Sequence, residues 1–143
     1  MQVLNQMKLE FWSVPENEGF ARVAVSAFAV QFNPTLDVLA DIKTAVSEAV
    51  TNAIVHGYAD SQGTVTITAA LLEDGTLELS VADQGRGIAD IPQAMQPFFT
   101  TQPEKERSGM GFSVMQTFMD EVEVESRLGE GTTVRMTKRL REG

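Results

Sequence analysis

The sequence predicts an α+β fold: a two-layer sandwich in which one mixed, mostly antiparallel sheet carries helices on a single face. Two observations lead to this prediction. Segments with period-two alternation and segments with helical periodicity follow one another in the order β-α-α-β-β-loop-α-β-β, so strands arrive in adjacent pairs. Asp74-Gly75 stands between two alternating segments and is typical of a hairpin turn of the primed type.

The first half of the chain supplies a strand and two helices. Met7–Ser13 alternates through Leu9 and Phe11 and predicts the first strand. Glu16–Phe32 has apolar residues at helical spacing and predicts a helix with one apolar stripe, formed by Phe20, Val23, Ala24, Ala27 and Phe28.

A second, longer helix is expected from Thr35 to His56. Asn33 would be its N-cap and Pro34 its first residue, and Gly57 would end it. Its apolar stripe contains Leu39, Ile42, Val46, Val50 and Ala53.

The second half of the chain alternates between strands and less regular sequence. Gln84–Ser108 has no periodicity, and so long an irregular connection in a compact domain is usually functional. The remaining patterns predict strands at Gly63–Leu72, Leu77–Asp83, Glu121–Ser126 and Thr132–Arg139, with a helix at Gly109–Met119. We see no repeat or linker and expect a single domain over residues 1–143.

Composition excludes several classes of function. The net charge of −9 argues against a nucleic-acid-binding protein, which would need a basic patch. The absence of cysteine excludes disulfides, thiolate metal sites and cysteine catalysis. Without a secretory signal or an apolar run of membrane-spanning length, we expect a cytoplasmic protein that does not enter a membrane.

Three local motifs carry polar groups that could do chemistry. Glu48 and Asn52 are four residues apart, so their side chains lie about 40° apart on one helix face. A carboxylate can remove a proton and an amide oxygen can hold a hard cation, although the same pair is also common on a solvated helix face.

The other two motifs are rich in glycine. Asp83-Gln84-Gly85-Arg86-Gly87 follows a strand: the aspartate can accept a hydrogen bond from an exocyclic amine, and glycines let the backbone approach a flat ring. Ser108-Gly109-Met110-Gly111 opens a helix, where free N–H groups bind anions. Alternatively, these are a solvated glycine turn and an ordinary capped helix.

The order of these motifs resembles the ATP-binding (Bergerat) fold of the GHKL superfamily. Glu48–Asn52 is similar to the N box of that superfamily, Asp83–Gly87 to its first glycine box and Gly109–Gly111 to its second. Four longer segments, SEAVTNAIVHGY, DQGRGI, PFFTTQPEKERSGMGF and FMDEVEVES, resemble the anti-sigma serine kinases of sporulation over residues 7–138.

The resemblance implies ATP as phosphate donor, ADP as product, Mg²⁺ as cofactor, and a role for each matching residue. Glu48 would be the general base that takes the proton of the attacking serine hydroxyl, and Asn52 would hold Mg²⁺. Asp83 would bind the adenine amine, and residues 97–108 would form an ATP lid. The other residues that would contact the nucleotide are His56, Gly85, Gly87, Thr100, Thr101, Arg107, Ser108, Gly109, Met110, Gly111 and Thr132. Arg86 is a bulky residue within the glycine box and would have to point outward.

The resemblance also implies partners. The family forms homodimers through the first strand and first helix, and Arg22 matches an arginine that meets protein partners. Those partners would be an RNA polymerase sigma factor of the sigma F type, which is held inactive, and an anti-anti-sigma factor, which is phosphorylated on serine.

Three other interpretations compete with a serine kinase of sporulation. A histidine kinase fragment would need a phosphoaccepting histidine outside the N box, but His56 is the only histidine. A non-catalytic ATP-gated binding module would be favoured if Glu48 were absent. A related kinase of a stress-response sigma factor has the same motifs, so only the partner would distinguish it.

Overall fold

The computed structural model of the protein describes residues 1–58, 61–88, 91 and 111–141. Its five strands are β1 (Val3–Trp12), β2 (Thr64–Leu72), β3 (Thr76–Asp83), β4 (Glu121–Arg127) and β5 (Gly131–Arg139). Its α-helices are α1 (Asn17–Ala29), α2 (Leu36–Thr51) and α3 (Gly111–Phe118). A 3₁₀ turn (Val30–Phe32) follows α1, and a π-helical segment (Asn52–Gly57) continues α2.

The strands form a single sheet in the order β1-β2-β3-β5-β4. All four pairings are antiparallel. The α+β prediction is confirmed, and no parallel pair is present among the described strands. In this order β3 lies beside β5, and Asp83 at the end of β3 pairs with Thr132 near the start of β5. The extent of the domain, residues 1–143, stays a prediction.

One face of the sheet is buried under the helices. Alternate residues of the central strands, such as Ile67, Leu79 and Met136, belong to the same apolar cluster as Val46 and Val50 of α2. Helix α2 contacts both α1 and α3. The opposite face of the sheet is polar. Because strand side chains alternate between faces, the two-layer arrangement follows from the alternation in the sequence.

Helix α1 does not bury the stripe that its periodicity suggested. Phe20, Val23 and Ala27 are exposed, and Phe28 alone of the predicted stripe is buried. The buried residues of the helix are Ala21, Val25, Ser26, Phe28 and Ala29. The prediction was wrong because, apart from Phe28, the residues that face the core are small or medium-sized, whereas Phe20 and Val23 face outward.

The start of α2 also differs from expectation. The N-cap is Thr35, whose hydroxyl accepts a hydrogen bond from Val38 N at 3.3 Å. Asn33 instead takes a left-handed conformation with φ of 50°, which turns the chain between the helices. Asparagine tolerates this conformation better than most residues. The helix therefore starts at Leu36, two residues after Pro34.

Two strand features correct smaller predictions. Strand β1 begins at Val3, four residues before the predicted start, because it pairs with β2 along its whole length. The β2–β3 connection is a three-residue loop in which Gly75 N donates to Leu72 O at 3.0 Å. In this loop Gly75 has a positive φ and Asp74 does not, so the turn is of type I followed by a glycine bulge.

Candidate functional site

The wide turn at the end of α2 is the first element of the candidate site. From Asn52 to Gly57 the helix becomes π-helical, and Tyr58 N donates to Ala53 O, five residues back, at 3.1 Å. Gly57 was expected to end an α-helix, but it is the last residue of this widened segment. Such segments are rare and occur often at functional sites. Asn52 and His56 both belong to this one and are half-buried.

Glu48 and Asn52 lie on the side of the helix away from its buried residues. Ile42, Val46 and Val50 are fully buried, whereas Glu48 and Asn52 are half-buried. The Asn52 amide nitrogen is shielded from solvent and has no hydrogen-bond partner within the described part of the chain. An unsatisfied buried polar atom costs about 1–3 kcal/mol. A ligand oxygen that accepted from this nitrogen would remove that cost.

The carboxyl group of Asp83 is the second element. It is 8% exposed, and its Oδ1 accepts a hydrogen bond from Gly85 N at 2.9 Å. The backbone N–H of Thr132 also donates to it. Burial raises the pKa of Asp83, and these two hydrogen bonds offset part of that rise. The carboxylate keeps further lone pairs with which it can accept a hydrogen bond from a ligand.

Two glycines allow the π-helical segment to touch the loop that follows Asp83. A Cβ on Gly57 would lie 2.8 Å from Asp83 Cγ, and a Cβ on Gly85 would lie 1.9 Å from Gly57 O. Gly57 O in turn accepts a hydrogen bond from Arg86 N at 2.9 Å. Arg86 is exposed, as its outward orientation requires. The π-helical segment and the loop after Asp83 are therefore joined backbone to backbone.

The β4–β5 turn closes the site from the other side. Gly87 has a φ of 78°, and a Cβ on it would lie 2.1 Å from Arg127 O. Gly131 has a φ of 97°, and its Cβ would lie 2.1 Å from Asp83 O. Both positions therefore need glycine for conformation and for space.

Ser126 is a site residue that sequence reasoning missed. Its hydroxyl donates to Gly131 O at 2.9 Å and accepts from Ile88 N at 2.7 Å. It also lies 2.8 Å from the Thr132 hydroxyl. Because the single Ser126 proton goes to Gly131 O, Thr132 is the donor in this contact, and its oxygen can accept from a ligand or a water. Ser126 ends the alternating segment Glu121–Ser126, and a hydroxyl at that position was the available signal.

The remaining predicted residues divide into two groups. Gly111 is the first residue of α3, which packs against α2. The lid, residues 97–108, lies outside the described residues, as do Thr100, Thr101, Arg107, Ser108, Gly109 and Met110.

Arg22 lies on α1, apart from Asp83 and Thr132. It forms an ion pair with Glu18 at 3.3 Å and reaches Ser47 Oγ at 3.5 Å. Ser47 precedes Glu48 in α2. Arg22 therefore joins the outer surface of α1 to the helix that carries the N box.

The described residues form no ready-made metal cage. Within ranges 1–58, 61–88 and 111–141, no three His, Cys, Asp or Glu side chains gather at one point. Mg²⁺ commonly keeps several waters and is held by one or two protein oxygens together with substrate phosphates. The Asn52 carboxamide is suited to that role, since its oxygen can bind the ion while its nitrogen donates to a phosphate oxygen.

Comparison with known proteins agrees with this geometry. Residues 11–138 match the model of the histidine kinase-like ATPase domain. An anti-sigma F factor of Thermoanaerobacter sp. (strain X514) is 58% identical over 138 residues, which cover 96% of each chain. An anti-sigma F factor of Geobacillus thermodenitrificans (strain NG80-2) is 54% identical over 136 residues, 95% of this chain and 93% of that one.

This chain belongs to the anti-sigma F factor family. Solved structures agree with this family's fold: the RsbU and RsbW domains of Rv1364c from Mycobacterium tuberculosis superimpose with a TM-score of 0.70. That match has 23% identity and covers 95% of this chain but 32% of the other. Full-length ShkA in complex with AMPPNP gives a TM-score of 0.60 at 20% identity, over 90% of this chain and 30% of that one. In the part of this anti-sigma F family member that the structure describes, no helix has the length and apolarity to cross a membrane.

Proposed function

We propose that the protein is an ATP-dependent protein-serine kinase and an anti-sigma factor of the sporulation sigma F type. The observation that carries this proposal is the convergence of the Asn52–Gly57 segment on Asp83, within a chain of the anti-sigma F factor family. That convergence combines a buried acceptor for an exocyclic amine with an unsatisfied amide four residues from Glu48.

The site divides recognition from chemistry. Asp83 accepts a hydrogen bond from the adenine amine, Thr132 supports the base, and Gly85 and Gly87 let the backbone approach the ring. His56 and Arg107 would lie near the phosphates, to which Gly109, Met110 and Gly111 would offer backbone N–H groups. Thr100, Thr101 and Ser108 would also contact the nucleotide. Asn52 holds Mg²⁺, which, when bound, neutralises charge on the phosphates.

Glu48 performs the proton transfer. It accepts the proton of the substrate serine hydroxyl as the serine oxygen forms a bond to the γ-phosphorus. The bond from that phosphorus to the β,γ-bridging oxygen breaks, and its electron pair leaves with ADP. The products are ADP and phosphoserine on the anti-anti-sigma factor.

The surface of α1 and the end of β1 supply the contacts with other chains. Trp12, Phe20, Val23 and Val30 are large apolar residues that are mostly exposed. An exposed apolar patch of this kind marks an interaction surface. We propose that it forms the homodimer, that Arg22 beside it contacts the sigma factor and the anti-anti-sigma factor, and that the protein acts in the cytoplasm.

One experiment tests both activities. The purified full-length protein is mixed with Mg²⁺, radiolabelled ATP and the sigma and anti-anti-sigma products of neighbouring genes. We expect sigma capture that requires nucleotide, and phosphoserine on the anti-anti-sigma factor. Sigma capture without phosphoserine would indicate an ATP-gated binding protein that is not a kinase. Phosphoserine found only on a stress-response partner would contradict the sporulation assignment.

A further inference from the structure

Tyr58 connects three segments of the chain around Asp83. Its ring is buried, with 9% of the residue exposed. Its hydroxyl donates to Thr64 O, at the start of β2, at 2.8 Å. The same oxygen accepts a hydrogen bond from Gln84 N, directly after Asp83, at 2.7 Å. The hydroxyl therefore donates one hydrogen bond and accepts another, and both partners are backbone groups.

The ring is also held in place from both sides. The backbone N–H of Tyr58 donates a hydrogen bond to Ala53 O, at the point where the π-helical segment ends. The ring also lies against the α-carbon of Gly63, where a Cβ would be 2.3 Å from ring atom Cε1. A side chain held in this way can determine the position of the groups that bind to it.

The loop after Asp83 depends on residues 57 and 58. Three successive N–H groups follow the carboxylate: Gln84 N binds the Tyr58 hydroxyl, Gly85 N binds Asp83 Oδ1, and Arg86 N binds Gly57 O. Two of these three bonds are accepted by Tyr58 and Gly57, at the end of the π-helical segment. The third is accepted by the Asp83 carboxylate and orients it. Gln84 lies between Asp83 and Gly85, so a shift of the Gln84 backbone would also shift Gly85 N, which donates to Asp83 Oδ1.

We propose that Tyr58 is a positioning residue for nucleobase recognition, which aligns the Asp83 carboxylate with the exocyclic amine through the backbone of Gln84. The proposal rests on the proposed function, because it assumes that Asp83 binds the adenine amine. It assigns to Tyr58 a share of the selectivity for adenine, although its side chain need not touch the nucleotide.

The test compares two nucleotides and two variants of the full-length protein. Calorimetry measures the affinity for ATP and for purine riboside 5′-triphosphate, which lacks the 6-amino group, both with Mg²⁺. Tyr58→Phe removes the hydroxyl and keeps the ring. Thr35→Ala is the matched control, because its hydroxyl also accepts a backbone N–H, that of Val38 at 3.3 Å, but lies at the start of α2, at the opposite end of that helix from Tyr58. Thermal unfolding of both variants shows how far each is destabilised.

We expect the wild-type protein to prefer ATP by roughly 10-fold or more, as a buried hydrogen bond between ligand and carboxylate would give. Tyr58→Phe should reduce this preference by roughly 3- to 10-fold, and Thr35→Ala should leave it unchanged. An unchanged preference in Tyr58→Phe, or an equal reduction in both variants, would overturn the inference.

Failure of the proposed function would look different. If the wild-type protein bound the two nucleotides equally, Asp83 would not recognise the amine, and the role of Tyr58 would fall with it. If the wild-type protein bound neither, the proposal of an ATP-dependent kinase would be wrong.

Discussion

The α-carbon of Gly57 lies directly against the carboxyl group of Asp83. A methyl group there would be 2.8 Å from Cγ and 2.9 Å from both carboxylate oxygens, closer than real Cβ contacts come. The last residue of the π-helical segment and the last residue of β3 therefore form one contact, although 26 positions separate them in the chain. Several predictions about affinity, stability and chemistry depend on this contact and on the groups around it.

Substitution of Gly57 by alanine should displace the Asp83 carboxyl group. Because that group is buried and bound to two N–H groups, it cannot move without losing hydrogen bonds. We expect Gly57→Ala to cost about 1–3 kcal/mol of stability, as overpacking typically does. Calorimetry should also show weaker binding of ATP. In the control Gly19→Ala, a Cβ would meet only the end of the Arg22 side chain, at 3.7 Å, and ATP affinity should stay at its wild-type value.

The stability of the protein should depend on pH through Asp83. Burial raises its pKa above the ordinary value of 3.8, so the folded protein retains a proton that the unfolded chain loses. The contribution of this group is therefore fully present below the unfolded pKa and is lost as pH rises through the folded pKa. Urea unfolding from pH 3.5 to pH 8 should show this loss in the wild-type protein and not in Asp83→Asn. If the unfolding free energies of the two proteins changed with pH in the same way, the raised pKa of Asp83 would be contradicted.

Glu48→Gln should separate binding from chemistry. Glutamine keeps the shape of the side chain but cannot accept the serine proton, so phosphoryl transfer should fall by roughly 10²–10⁴-fold. ATP affinity and sigma capture should stay at wild-type levels. The control is Asp37→Asn, which removes an exposed carboxylate from the first turn of the same helix. Unreduced transfer in a radiolabelled-ATP assay of Glu48→Gln would exclude a general-base role.

Asn52→Ala should weaken nucleotide binding more strongly when Mg²⁺ is present. The substitution removes the amide oxygen proposed to bind the ion, together with the buried nitrogen that lacks a partner among the described residues. Calorimetry with Mg²⁺ should show reduced ATP affinity, and the difference between variant and wild type should be smaller in excess chelator, where only the hydrogen bond from the nitrogen is lost. Wild-type affinity in the presence of Mg²⁺ would refute the assignment.

Val23→Glu should dissociate the proposed homodimer. Val23 is 62% exposed on the outer side of α1, so a charge there should change the stability of the fold by no more than about 0.5 kcal/mol. Within an apolar interface the same charge would be buried without a partner. Sedimentation should therefore detect monomers. Leu36→Glu is the control, since Leu36 is 83% exposed at the start of α2 and should leave the sedimentation unchanged.

The sequence predicts the general architecture because alternation and helical spacing are local. The five strands and the three helices were found, with shifted ends, and Asp83 was expected at a strand end and lies there. The outward face of α1 could not be predicted, since Phe20 and Val23 have the periodicity of a core stripe. Which face of a helix is buried depends on what packs against it, and here α2 packs against Ala21 and Val25.

The sequence predicts individual residues of the candidate site, but not the connections between them. Asp83 and the glycines stand in motifs, whereas Ser126 and Tyr58 act through hydrogen bonds to distant backbone groups. The π-helical segment has no simple signature in sequence. It forms where Gly57 and Gly85 allow two backbones to meet, and that is a property of the assembled fold.

The strand order also has a consequence for folding kinetics. Strands β2 and β3 form one local hairpin and β4 and β5 another, but Asp83 belongs to the first and Thr132 to the second. The two residues meet only when the hairpins dock, and closing so long a loop is slow compared with forming either hairpin. The contacts proposed for the nucleobase are therefore among the last to form, so ATP should bind only chains in which both hairpins have docked. ATP should then slow unfolding and raise the melting temperature in proportion to the logarithm of its concentration.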